Sequence, residues 1–134
     1  MRTLLIVVSL FSWCAYAEQD VGNFYEVTTT GTTAKLKAGE TGKVIISITA
    51  KNGAHVSDEA PLKIELSSKQ SKLGKEKLTL SDSTSGAANP RFEVPFTPTA
   101  QGPTTVEAKM TFFICTEKLC SRQTKNLSLP VEVM

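Results

Sequence analysis

A single histidine (His55), a single tryptophan (Trp13) and three cysteines (Cys14, Cys115, Cys120) are all that the 134-residue chain holds of these types. A metal cage needs three or four converging His, Cys or carboxylate ligands, so neither a metal nor another cofactor is expected. Charge of one sign is also lacking, since fifteen Lys and Arg face thirteen Asp and Glu for a net +2. With no basic block, and aromatics at only 7%, nucleic acid is not an expected partner. No phosphate-cradling glycine loop is present, and no nucleophile elbow accompanies the one histidine. At 40% hydrophobic and 21% charged residues, the remainder has the composition of one globular domain.

Long apolar runs are missing except at the start. Arg2 precedes the run Leu4 to Trp13, and Ala15-Tyr16-Ala17 supplies the small-x-small pattern of a signal peptidase site. The run is half of what a bilayer span requires. Residues 1–17 therefore read as a signal peptide cleaved between Ala17 and Glu18, giving a periplasmic or secreted protein with no stable membrane insertion. Trp13 stands where lipid attachment at Cys14 favours a small residue, so a lipid anchor is not expected. Removing 17 of the 134 residues leaves 117, with one tyrosine, Tyr25, and one cysteine pair, Cys115 and Cys120.

The mature chain reads as strands. Val44 to Ala50 is β-branched, Leu62 to Leu66 alternates, and Phe92 to Phe96 alternates with Pro95 marking a sheet edge or strand end. Thr104 to Ile114 places Val106, Ala108, Met110 and Phe112 on one face; Asn126 to Val133 does the same with Leu127, Leu129, Val131 and Val133. Asn52-Gly53 signals a tight turn. Strands at intervals of about ten residues predict an all-β, immunoglobulin-like antiparallel sandwich of about seven strands over residues 34–134. Residues 18–33 read as a loosely attached segment that Phe24 and Val27 help to pin, and Ser81 to Pro90 as a long mobile loop. His55, alone beside the turn, reads as a surface residue.

The only reactive constellation is Cys115 and Cys120, four residues apart between two strands. A hairpin-sized loop brings two sulfurs within bonding reach, and an oxidising compartment favours the disulfide. As a staple, a six-residue loop contributes about 2 kcal/mol, against about 4–5 kcal/mol for a bridge between distant strands. As a switch, the pair needs one accessible sulfur and neighbours that favour a thiolate, a role open to Lys118 and Arg122. A dithiol exchange module and a non-catalytic binding or structural module stapled by its disulfide both fit these residues.

Phe113-x-Cys115-x4-Cys120 followed by Gln123-Thr124-x2-Leu127-x-Leu129-Pro130 resembles the end of the N-terminal periplasmic domain of the DsbD thiol–disulfide interchange protein family. Gly53-Ala54-His55-Val56 and Pro61 to Leu66 are similar to that family's early strands, and the likeness runs from about Lys35 to Val133. The resemblance implies a free-standing immunoglobulin-like domain with a redox-active pair on adjacent strands. It implies a thioredoxin-like electron donor and oxidised exported proteins as partners, with Cys120 forming the mixed disulfide and Cys115 resolving it. It also implies a cap loop over the pair, a place the loop from Ser81 to Pro90 would take. The oligomeric state is left open by all of these residues.

Overall fold

The computed structural model describes residues 24–85 and 89–134. Residues 1–17, Cys14 and the Ala17/Glu18 junction lie outside the described residues.

Ten strands follow in chain order: β1 (Tyr25–Thr28), β2 (Lys35–Leu36), β3 (Gly42–Ala50), β4 (His55–Val56), β5 (Lys63–Ser67), β6 (Ser71–Leu73), β7 (Lys77–Leu78), β8 (Arg91–Pro98), β9 (Gly102–Cys115) and β10 (Cys120–Val133). One sheet has the order β1-β3-β8-β6; the other has β2-β10-β9-β5-β7, with β4 pairing β9 beyond the end of β5. Setting aside β2, β4 and β7, which are two residues each, seven principal strands remain. Their orders, β1-β3-β8-β6 and β5-β9-β10, are those of the ABED and CFG sheets of an immunoglobulin-like sandwich. The fold is all-β, as the alternation predicts. It departs from purely antiparallel pairing at one place, where β2 runs parallel to β10 with Lys35 beside Glu132 and Leu36 beside Val133.

Period-two alternation puts the apolar side chains of both sheets into one layer. Ile46, Ile48, Phe92 and Phe96 of the first sheet meet Ile64, Met110, Phe112 and Ile114 of the second, all essentially inaccessible to solvent. Burying each such side chain contributes about 1.5–3 kcal/mol against an opposing ordering cost.

Pro95 lies inside a sheet, because β8 pairs with β3 on one side and β6 on the other. The ladder tolerates it because its carbonyl, and hence its donor-less nitrogen, faces the β6 side, where pairing ends at Leu73 and only Gly74 N–H reaches the Pro95 carbonyl at 2.8 Å. Gly74 is needed there: a Cβ would sit 2.6 Å from Pro95 Cγ.

Two segments are more ordered than the sequence suggests. Within 18–33, Tyr25–Thr28 pair with Ala50 to Ser47 of β3, so this stretch is a strand of the sandwich; residues 18–23 lie outside the described residues. The alternation is too short to announce it, and what holds it is tertiary. Within 81–90, Leu80–Asp82 form a 3₁₀ turn capped by Thr79, and Thr84 N–H donates to Arg91 carbonyl at 2.8 Å. Lys75, hydrogen-bonded to Asp82, and the Thr79 backbone N–H hold the Asp82 carboxyl below its ordinary range. Asn89 Oδ1 accepts from Ala50 N–H at 3.0 Å, while residues 86–88 lie outside the described residues.

Candidate functional site

β9 and β10 form a hairpin of fourteen residues a side, and its register ends with Cys115 directly opposite Cys120. The turn between them is closed by Thr116. Its N–H donates to Leu119 carbonyl at 2.8 Å, and its Oγ1 accepts from the N–H groups of Lys118 and Leu119. With the strand ends so fixed, the two Cα atoms lie 3.9 Å apart and the sulfurs are bonded at 2.00 Å.

The two sulfurs differ in surroundings. Ile114 points into the core, so Cys115 and Cys120 project from the outer face of the sheet. Cys115 is only 4% exposed, since it lies on an inner strand with β4 on one side and β10 on the other. Cys120 is exposed; among the described residues β10 is paired beyond β9 only by β2, at Glu132 and Val133. The bridge thus joins a buried residue to an exposed one.

Lys118 and Arg122 each lie two positions from Cys120 in the chain. Arg122 is two residues along the same strand, on the same outer face and opposite Phe113, and Lys118 sits in the turn. Neither forms an ion pair among the described residues. Below them on the same face, Pro61, Lys63, Thr111, Phe113, Arg122 and Thr124 line an open groove of about 650 Å³.

Two placements escape the sequence, one beside the pair and one on the opposite, core face of the same sheet. His55 is the register partner of Cys115 on the side away from Cys120, so His55, Cys115 and Cys120 form one row across three strands. The Asn52-Gly53 turn sets this up. Both residues have positive φ (54° and 79°), and Ala54 N–H closes the turn on Lys51 carbonyl at 3.0 Å. This turn carries the chain from the first sheet to the second, and nothing local shows which strand receives it. Tyr25 is the other. Its ring meets Phe112 edge-on at 5.2 Å, its hydroxyl donates to Gln123 Oε1 at 3.0 Å, and Lys125 Nζ lies 5.7 Å from its centroid.

Of the segment expected to cap the pair, Asn89 is held at the end of β3. Asn89 binds Ala50, the last residue of β3, from which the chain turns through Asn52-Gly53 to His55. Among the described residues no group of three His, Cys, Asp or Glu converges as a metal site, and no helix is long and apolar enough to cross a membrane.

No family model matches the chain, and no curated protein matches it. Among solved structures it is similar to a lipoprotein from Bacteroides thetaiotaomicron, at 16% identity and TM-score 0.50, over 81% of this chain and 78% of that one. Domains 4 and 5 of the S-layer protein SbsC are 15% identical over 81% of this chain, with TM-score 0.46; the chain spans 51% of that structure. AggA, the major subunit of aggregative adherence fimbriae type I from Escherichia coli, is 15% identical with TM-score 0.45, over 82% and 94% of the two chains. At these identities the likeness concerns the fold alone.

Proposed function

We propose that the chain is an exported thiol–disulfide interchange domain, periplasmic or secreted, that passes electron pairs from a thioredoxin-like dithiol donor to oxidised exported proteins. The observation that carries this reading is the asymmetry of the bridge: Cys120 is exposed at the open side of the last strand while Cys115 is buried beside it. Exchange requires one sulfur that a partner thiolate reaches and one that leaves and later resolves.

In the reducing half, a donor thiolate attacks Cys120 Sγ, the S–S bond breaks, and its electron pair stays on Cys115 Sγ as thiolate. The donor's second thiolate then attacks the donor sulfur of the mixed disulfide, releasing Cys120 as thiolate and the donor as disulfide. In the oxidising half, Cys120 thiolate attacks a partner disulfide, and Cys115 thiolate resolves the mixed species, releasing the partner reduced. Two electrons move in each half. Arg122 and Lys118, with no ion pair among the described residues, favour the Cys120 thiolate.

Trapping tests the reading. Cys115→Ser leaves the exposed residue's thiol free and without a resolving partner, so its thiolate is expected to attack the disulfide of an oxidised protein partner and the mixed disulfide is expected to accumulate. Cys120→Ser is expected to accumulate at least tenfold less, because its remaining sulfur is buried. Equal trapping by the two, or greater trapping through Cys115, contradicts the assignment.

A further inference from the structure

The row across β4, β9 and β10 places an imidazole beside the buried sulfur. Directly paired residues share a face, with Cβ atoms about 4.5–5.5 Å apart, and β4 pairs His55 with Cys115 while β10 pairs Cys115 with Cys120. The His55 side chain is exposed and makes no hydrogen bond or ion pair among the described residues. Its backbone is held by the Asn52-Gly53 turn before it and, after it, by Ser57 N–H donating to Phe113 carbonyl at 2.9 Å. Cys115 is closed off from bulk water, so a proton reaching its sulfur has few sources. The neighbouring imidazole is one of them.

We infer that His55 is the proton donor and acceptor for Cys115, making the bridge a His55–Cys115–Cys120 relay in which the outer sulfur exchanges and the inner sulfur is served by histidine. The inference rests on the exchange reading above and adds the group that handles the proton. When a partner thiolate bonds to Cys120 Sγ, the S–S electron pair passes to Cys115 Sγ. The His55 imidazolium gives that sulfur its proton and is reprotonated from water. In the reverse direction the neutral imidazole takes the Cys115 proton, and the resulting thiolate attacks the mixed disulfide. A group that stabilises the leaving thiolate speeds exchange, because a thiol of lower pKa leaves faster.

The charged groups around the row are Arg122 on β10, Glu117 and Lys118 in the β9–β10 turn, Asp58 and Glu59 after β4, and Lys51 before it. Lys51 is paired to Glu26 at 2.9 Å. Phe113 is the neutral neighbour of Cys115 on the same face of β9. Imidazole is the side chain that both donates and accepts a proton near neutral pH, so the relay is tested by the pH dependence of exchange.

The test follows reduction of the bridge by dithiothreitol in stopped flow from about pH 5 to 8, with rates expressed per reductant thiolate. Wild type, His55→Gln and His55→Lys are compared, and folding of each is checked by circular dichroism. His55→Gln is expected to be about threefold slower at the acid end and to converge with wild type at the alkaline end. His55→Lys keeps a positive charge, but an ammonium is a weaker acid than a thiol, so it is expected to be slowed at the acid end as His55→Gln is. Three superimposable profiles overturn the relay; so does a fast rate kept by His55→Lys, which charge alone gives, and so does a slowing that is the same at every pH, which a purely structural histidine gives. Because dithiothreitol reduces staples and switches alike, this outcome is separable from the fate of the exchange reading, which the potential of the bridge decides.

Discussion

Tyr25 is a residue whose importance exceeds its prominence in the sequence. It fixes β1 to the second sheet through the Phe112 ring and the Gln123 amide, 98 positions away. Tyr25→Phe is expected to lose about 1 kcal/mol, the worth of one part-buried hydrogen bond, and Tyr25→Ala about 3–5 kcal/mol, as for other large aromatic truncations in a core. Urea unfolding of the two variants checks the ranking; equal midpoints for Tyr25→Ala and wild type would mean that β1 is not part of the cooperative unit. At this scale some residues were legible and others were not. The Asn52-Gly53 turn is written in its dipeptide, and Cys115 and Cys120 announce themselves by spacing. His55 and Tyr25 do not, because what matters about each is a register partner on a distant strand.

Among the elements, β10 is the most exposed to misuse. Glu132 N–H points outward to Ala34 carbonyl, so by alternation the backbone groups of Cys120, Arg122, Thr124, Asn126 and Ser128 also face the open side. A row of this length that no strand pairs among the described residues invites another strand. Three features oppose that. Pro130 has no N–H to offer on this side, Gln123 Nε2 occupies Arg122 carbonyl at 3.0 Å, and Lys125 points toward the core side, with its ammonium over Tyr25. An added strand would bury that ammonium. Lys125→Val is therefore expected to raise the sedimentation-average mass toward that of a dimer at concentrations where wild type stays monomeric; an unchanged mass would show that Lys125 does not guard the edge. The long strands β8, β9 and β10 were legible because each repeats its alternation over many residues. β1, β2, β4 and β7 were not, since strands of two to four residues carry too little pattern to register.

For the whole molecule, the sandwich follows from patterning, whereas the site follows from sheet order. An antiparallel hairpin brings Cys115 and Cys120 together whatever lies around it, which is why the sequence predicts the bond. Which cysteine is buried depends on β9 being interior and β10 lying next to an edge, a property of the assembled sheet. The bridge closes only a six-residue loop, so it contributes about 2 kcal/mol as a staple, and it sits on the outer face rather than across the core. Placement at a solvent-facing end, with one accessible sulfur, suits exchange better than stapling. The most direct test is the reduction potential of Cys115–Cys120 in the mature protein, equilibrated against glutathione and dithiothreitol buffers. An exchange domain is expected to lie between about −120 and −270 mV, the range of known dithiol exchange proteins. A value well below about −300 mV would contradict the account and make the bridge a structural staple.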